Sequence, residues 1–136
     1  MITAEINYWA VLVSAIASMI IGFAWYSMPA FGRIWATLIG KTEDQLKAGY
    51  KPTTFAKTFG IALVMVYILA HFIDYAGATT VGQGAVTGFW LWLGFVATTT
   101  LTTTIYEGKQ SKLWLINTGY QLLNLIVAGV ILAVWA

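Results

Sequence analysis

The sequence of 136 residues contains no cysteine, one histidine and two prolines, and only 9% of its residues are charged. The absence of cysteine excludes a disulfide framework and a thiolate metal site. A structural zinc ion usually takes four cysteine or histidine ligands, so a single histidine argues against zinc as well. The formal net charge of +2 is too small to indicate binding to nucleic acid. We therefore expect no metal, no cofactor and no nucleic acid partner.

Apolar residues make up 60% of the chain, whereas soluble domains usually carry about 25% charged residues. A bilayer core about 30 Å thick is crossed by a helix of about 20 largely apolar residues. Four such stretches are predicted, at about residues 8–28, 55–75, 84–106 and 113–135. The expected fold is all-α, an integral membrane four-helix bundle that forms one domain over residues 1–136 in the lipid bilayer. We expect the first stretch to remain as a span, because Glu5 stands where a signal peptide would carry basic residues.

The basic residues are confined to two connecting segments and the adjoining helix start. They are Arg33, Lys41, Lys47, Lys51, Lys57, Lys109 and Lys112. Loops rich in Lys and Arg stay on the cytoplasmic side of a membrane. We therefore expect a multi-pass protein of the bacterial inner membrane, with loops 29–54 and 107–112 in the cytoplasm and both termini outside.

The first of these loops is expected to be partly helical. In "PAFGRIWATLIG", residues 29–40, apolar side chains recur at spacings typical of one helix face, at Phe31, Ile34, Trp35, Leu38 and Ile39. This pattern predicts a short cytoplasmic helix that lies in the membrane interface after the first span. The following "TEDQLKAG", residues 42–49, has capping-box spacing and predicts a second short helix. Four aromatic residues are interpreted as anchors at the same interface, namely Trp25, Tyr26, Phe31 and Trp35.

Small residues recur every four positions in two of the spans. The first span carries Ala10, Ser14, Ser18 and Gly22, and the third begins with Gly84 and Gly88. Small side chains at this spacing let two membrane helices approach closely. The partner helix lies either within the same bundle or in a second subunit, so these rows leave a homo-oligomer open.

Polar residues converge in the cytoplasmic halves of the third and fourth spans. One face of the fourth helix carries Asn117, Tyr120, Gln121 and Asn124. Amides that face lipid would leave donors and acceptors unpaired, at a cost of several kcal/mol. The third span has six threonines in residues 98–104, most of which can bond their own backbone, while Thr100 and Thr103 face the stripe. We hypothesise a polar zone between these spans that opens to the cytoplasm, either as a closed hydrogen-bond network or as a wet cavity.

A second polar group lies in the outer half of the second span. In "VYILAHFIDY", residues 66–75, His71 and Asp74 stand three positions apart, which lets a carboxylate orient an imidazole. Histidine titrates near neutral pH, and ionisable residues inside membranes are often functional, so this pair is a candidate pH sensor. The alternative is a histidine bonded to a neighbouring helix, with Asp74 hydrated at the outer surface.

The sequence has no Gly-rich phosphate loop and no nucleophile elbow, so we predict no catalytic residues and no enzymatic activity. Three segments carry a family resemblance: "GFAWYSMPAFGRIW" (22–35), "ILAHF" (68–72) and "YEGKQSKLWLINTGYQL" (106–122). They resemble the bacterial membrane protein family catalogued as domain of unknown function 1761. The resemblance implies four membrane spans and no established activity.

Two functions are compatible with these patterns. The favoured one is a non-enzymatic membrane protein that self-associates or scaffolds partner proteins. The alternative is an oligomeric conduit or binder for a small solute or an ion, which would use the polar zone between the third and fourth spans.

Overall fold

Helices long and apolar enough to cross a membrane account for most of residues 4–135, the part of the chain that the computed structural model describes. In chain order the helices are α1 (Tyr8–Trp25), the short α2 (Arg33–Ile39) and α3 (Glu43–Ala48), and then α4 (Pro52–Tyr75), α5 (Val81–Glu107) and α6 (Ser111–Val134). The four long helices, α1, α4, α5 and α6, alternate in direction along the chain. The predicted all-α four-helix bundle is confirmed.

α1 is shorter than predicted at the end that leads into the first loop. Its N-terminus is capped by the side-chain oxygen of Asn7. The helix stops at Trp25, because the chain then turns and kinks at Ala30, whose backbone (φ −95°, ψ −116°) is not helical. Gly32 is required in this turn, since a Cβ atom would lie 2.4 Å from the carbonyl oxygen of Tyr26.

Both short helices form close to where the sequence predicts them. α2 ends at Gly40, whose left-handed backbone (φ 73°) turns the chain away from the helix. α3 begins with the predicted capping box: the backbone N–H of Gln45 donates to the Thr42 hydroxyl at 3.2 Å, and the backbone N–H of Thr42 donates to the Gln45 side chain at 2.9 Å. Leu46 is the buried residue of α3, so this helix packs against the bundle through the Leu46 side chain.

The two ends of the bundle differ in charge. The side-chain amide of Asn7 donates to the carbonyl oxygen of Trp135 at 3.0 Å, so the first and last described segments meet at one end. All seven Lys and Arg residues belong to segments at the opposite end. We call these the terminal end and the basic end.

Helices α5 and α6 are in backbone contact towards the terminal end. A Cβ atom on Gly84 would lie 2.4 Å from the carbonyl oxygen of Gly129, and one on Gly88 would lie 2.4 Å from that of Leu125. Only a residue without a side chain fits at these two positions. The glycine row predicted at the start of the third span therefore packs within the chain.

The small-residue row of α1 also faces the interior. Ala10, Ser14 and Ser18 are buried. A Cβ atom on Gly22 would lie 3.2 Å from the hydroxyl of Tyr120 on α6. Of the two alternatives for these rows, the structure shows packing inside one bundle.

The third span is not a uniform α-helix. Residues Trp92–Ala97 in the middle of α5 form a π-helical turn. Such a turn widens the helix and interrupts its regular backbone hydrogen bonds. The indole N–H of Trp92 donates to the carbonyl oxygen of Thr118 at 2.9 Å and holds the turn against α6.

Candidate functional site

The threonine run of α5 satisfies its own hydrogen bonds. Six hydroxyls donate to the carbonyl oxygen four residues earlier, those of Thr98, Thr99, Thr100, Thr102, Thr103 and Thr104. The expectation that these hydroxyls bond their own backbone is confirmed. Three of the accepting carbonyls, at Gly94, Phe95 and Val96, belong to the π-helical turn, so the run also pairs carbonyls where the regular ladder is interrupted.

A cleft with a volume of about 550 Å³ opens between the threonine run and the first half of α6, at the basic end. It brings together five of the six residues predicted for the polar zone, namely Thr100, Thr103, Asn117, Tyr120 and Gln121. Trp114 of α6 and Tyr26, which follows α1, are among the other residues that line it. The cleft therefore involves three spans rather than the two that the sequence predicts.

Two hydrogen bonds hold the walls of the cleft together. The indole N–H of Trp114 donates to the hydroxyl oxygen of Thr100 at 2.9 Å and joins α6 to α5. The hydroxyl of Tyr26 donates to the side-chain oxygen of Asn117 at 2.7 Å and joins α6 to the end of α1. Within residues 4–135, the side-chain NH₂ groups of Asn117 and Gln121 donate to no protein atom. Both donors are available to a molecule in the cleft.

The mouth of the cleft carries balanced charge. The charged side chains in its wall are those of Glu107 and Lys109, which form an ion pair at 2.9 Å. From Glu107 the wall extends inwards to Thr100, a distance of about 10 Å at 1.5 Å per helical residue. The cleft therefore leads from the end of the helices into the apolar part of the bundle while presenting hydroxyl and amide groups.

Two residues of the predicted stripe face elsewhere. The hydroxyl of Tyr120 turns to α1 and donates to the carbonyl oxygen of Ser18 at 3.0 Å, although its ring still lines the cleft. Asn124 is 3% exposed and lies outside the cleft. Its NH₂ group is 3.5 Å from the side-chain oxygen of Gln121 and 3.9 Å from the sulfur of Met65 on α4. The prediction that all four face the third span is wrong, because α6 packs against α1, α4 and α5 at once.

Two buried side-chain oxygens in the middle of the bundle have no hydrogen-bond partner within residues 4–135, those of Ser14 and Asn124. Ser14 lies one turn beyond Ser18 along α1, and Asn124 lies one turn beyond Tyr120 along α6. Since the two helices are antiparallel, both oxygens lie just past the Ser18–Tyr120 contact, on the terminal side. The hydrogen-bonded part of the α1–α6 interface ends at this level.

The cleft is closed towards the terminal end by packed helices. Leu125 and Ala128 of α6 are buried, and Gly88 of α5 is in backbone contact with Leu125. The Trp92 indole bridges the two helices where the cleft ends. The cleft is thus a pocket that opens at the basic end rather than a passage through the protomer.

His71 and Asp74 do not form the predicted pair. The Nδ1 atom of His71 lies 2.8 Å from the carbonyl oxygen of Tyr67 in its own helix, and its ring packs between those of Tyr67 and Tyr75. Within residues 4–135, no ion pair or hydrogen bond links His71 to Asp74. Asp74 instead lines a separate cavity of about 290 Å³ at the terminal end, together with Glu5. Among the described residues, no group of three or more His, Cys, Asp or Glu side chains could hold a metal ion.

Two of the four predicted interfacial anchors, Trp25 and Tyr26, donate hydrogen bonds to α6. The indole N–H of Trp25 donates to the carbonyl oxygen of Ile116 at 2.9 Å, and its ring packs against Phe31 at 4.5 Å. Tyr26 packs against Trp35 at 4.9 Å. These four aromatics connect α1, α2 and α6. The anchoring predicted for them stays a prediction.

The sequence reasoning missed Trp114 as a site residue and Tyr26 as a hydrogen-bond donor to the site. Trp114 stands three residues before Asn117, on the same helix face, so its position was visible in the sequence. Buried indole and phenol groups usually find an acceptor, which is the signal that could have indicated a bonding role. Which acceptor they meet depends on how the helices pack.

Apolar helices in a bundle that has a polar cleft at one end define an all-helical, multi-pass membrane protein. A family model described as a protein of unknown function, DUF1761, matches residues 9–133. The match covers nearly the whole chain, so the protein belongs to this family, as the resemblance predicts. No curated protein and no solved structure matches the chain.

Proposed function

We propose that this protein binds a small polar molecule in the cleft between α5 and α6, without catalysing a reaction on it. The observation that carries the proposal is the pair of NH₂ donors on Asn117 and Gln121 that have no protein acceptor, in a cleft of about 550 Å³. Pockets for small molecules usually measure about 300 to 1,000 Å³, so the size supports binding.

The wall of the cleft favours one chemical class of ligand. Its free groups are amide donors, and its two charged side chains, Glu107 and Lys109, neutralise each other. A net charge on the ligand would meet no net counter-charge in the wall to replace its hydration. The cleft therefore fits a neutral or zwitterionic molecule with acceptor oxygens, such as carbonyl, hydroxyl or ether groups.

The orientation in the membrane belongs to the same proposal. All seven Lys and Arg residues lie at the basic end, and loops rich in these residues stay in the cytoplasm. We infer that the basic end faces the cytoplasm of a bacterial cell, with both termini outside the inner membrane. The cleft would then draw its ligand from the cytosol.

The test is selective retention of a compound by the purified protein. The protein in lipid nanodiscs is incubated with a dialysable cytosolic extract and washed, and bound compounds are released by denaturation and identified by mass spectrometry. We expect an oxygen-rich, uncharged or zwitterionic compound on the wild type and its loss from Gln121→Leu, which removes one donor.

Gln83→Leu is the matched control, because Gln83 lies at the terminal end and bonds the backbone N–H of Thr79. This variant should retain the compound as the wild type does. Retention of no compound by the wild type, or equal retention by the wild type and Gln121→Leu, would contradict the proposal.

Self-association is the second candidate function, supported by the exposed side of α5. Gly94, Thr98 and Thr102 stand four residues apart and are exposed, and nothing lies within 4 Å of a Cβ atom built on Gly94. Small residues at this spacing let a second membrane helix approach closely. Oxidation should cross-link two copies through Thr98→Cys and leave Val64→Cys, on the exposed side of α4, as a monomer. Equal cross-linking at the two positions, or none at Thr98→Cys, would count against a homo-oligomer through α5.

A further inference from the structure

A second concave surface lies on the other side of the Tyr26 and Tyr120 rings. It is a groove of about 500 Å³ between α1, the short helices α2 and α3, and the start of α4. Tyr26 and Tyr120 line both this groove and the polar cleft, and their rings meet edge to face at 5.7 Å. The two aromatic rings thus form a wall between a polar and an apolar pocket.

The groove is lined mainly by large apolar side chains from four helices. They include Met19, Phe23, Trp35, Leu46, Tyr50 and Phe55. Aromatic contacts form its floor: Phe23 packs against Phe55 at 5.4 Å, and Phe55 packs against Tyr50 at 6.1 Å. These contacts join α1, the start of α4 and the segment that precedes α4.

The groove lies at the basic end of the bundle and extends along α1 towards the middle of that helix. Glu43, Lys47 and Tyr50 lie at its outer rim, in the segment between α1 and α4. Met19 lies about 9 Å deeper along α1 than Trp25, the last residue of that helix, at 1.5 Å per residue. A molecule with a long apolar tail would fit the groove with its tail pointing towards Met19 and its polar head at the rim.

We propose that the groove holds one hydrocarbon chain of an anionic phospholipid, whose phosphate lies at the rim beside Lys47. Charge selects this occupant: residues 29–57 carry five basic side chains against two acidic ones, Glu43 and Asp44, so the segment keeps a net positive charge although Lys47 pairs with Glu43. Basic residues close to a membrane helix attract anionic headgroups. The site is independent of the proposed ligand of the polar cleft, because it takes a different chemical class of molecule on the other side of the tyrosine wall.

Native mass spectrometry of lipids that stay bound tests the proposal. The protein is reconstituted in vesicles of phosphatidylcholine and phosphatidylglycerol in equal amounts and extracted in a mild detergent. We expect one phosphatidylglycerol to remain bound per wild-type chain. Met19→Trp should lose this lipid because the larger side chain fills the groove. Val64→Trp is the matched control, since Val64 is exposed on α4 outside the groove, and this variant should keep the lipid.

Lys47→Gln tests whether the lipid phosphate lies beside Lys47. This variant also tests the proposal if Met19→Trp does not fold. Lys47 is exposed and forms one ion pair, with Glu43 at 3.3 Å, so its replacement should leave the fold intact. The preference for phosphatidylglycerol over phosphatidylcholine should fall about fivefold in this variant. Equal retention of both lipids by the wild type, an unchanged preference in Lys47→Gln, or a lipid-free dimer whose second copy fills the groove would overturn the proposal.

Discussion

The two halves of the bundle are held together by different means. Towards the terminal end, α5 and α6 meet backbone to backbone at Gly84 and Gly88, and apolar side chains fill the remaining space. Towards the basic end, long polar and aromatic side chains cross between helices, through the bonds of Trp25, Tyr26 and Trp114. The first arrangement leaves no room for a ligand between α5 and α6, whereas the second leaves these helices far enough apart for a cleft.

This difference shows how a small membrane protein can place the close packing that stabilises it in one half of the bundle and a candidate binding cleft in the other half. Close packing of small residues is a main source of helix association in a bilayer, where burial from water contributes little. Here it is concentrated in one half, around Gly88 and Leu125. The other half can then keep polar groups that do not satisfy one another, such as the NH₂ groups of Asn117 and Gln121.

The largest expected effect comes from breaking the close-packed half. In Gly88→Val the new Cβ would lie 2.4 Å from the carbonyl oxygen of Leu125, so α5 and α6 must separate. We expect the free energy of unfolding to fall by about 3 kcal/mol, measured by titration with a denaturing detergent in mixed micelles. Gly82→Val on the same helix is the control, because nothing lies within 4 Å of a Cβ atom there. Similar losses in both variants would show that the backbone contact does not stabilise the bundle.

The next effect in size is expected from the basic-end half. Trp25→Phe removes the hydrogen bond to the carbonyl oxygen of Ile116 and part of the ring packing on Phe31. The free energy of unfolding should fall by about 1 to 2 kcal/mol in the same titration. Trp90→Phe serves for comparison, because Trp90 is 61% exposed. If both substitutions cost the same, the bridging role of the Trp25 indole is refuted.

Two serines one turn apart on α1 test where the half of the bundle with hydrogen bonds between helices ends. Ser14 is 1% exposed and its hydroxyl has no partner among residues 4–135, whereas the Ser18 hydroxyl lies 3.3 Å from that of Tyr120. Ser14→Ala should raise the free energy of unfolding by about 0.5 to 1 kcal/mol, because an unpaired buried hydroxyl is removed. Ser18→Ala should lower it by about 0.6 kcal/mol. A change of the same sign in both variants would contradict this boundary.

The smallest expected effect separates bridging from self-bonded threonines. Thr100→Val removes the acceptor of the Trp114 indole and should cost about 0.6 kcal/mol. Thr102 donates only to the carbonyl oxygen of Thr98 in its own helix, so Thr102→Val should be nearly neutral. Thermal unfolding in detergent can compare the two variants, and a larger cost at Thr102 would show that the run contributes through its own helix instead.

Much of the fold follows from local patterns in the sequence. Apolar runs locate the spans, Gly40 ends α2, and the Thr42–Gln45 pair starts α3. These features depend on residues close together in the chain, so periodicity and capping chemistry reveal them. The early end of α1 at Trp25 depends on a kink that Gly32 permits, and no periodic pattern indicates it.

The candidate site could be predicted only in part. The polar stripe of α6 identified three lining residues of the cleft, because amides inside a membrane need partners, and the two facing threonines of α5 identified two more. The stripe could not show that Tyr120 bonds Ser18 or that Asn124 lies outside the cleft. Those details depend on the rotation and register of α6 against three neighbours, which side-chain packing determines and a single helix pattern does not contain.

The central claim is that water enters the basic-end half past Asn117 to Gln121 and stops before Asn124. The chain has no cysteine, so single-cysteine variants at these positions need no altered background. The measurement is the rate of labelling by a water-soluble maleimide in lipid vesicles. We predict rapid labelling of Asn117→Cys and none of Asn124→Cys, since Asn124 is 3% exposed. Equal rates at the two positions, whether both label or neither does, would contradict a cleft that ends between them.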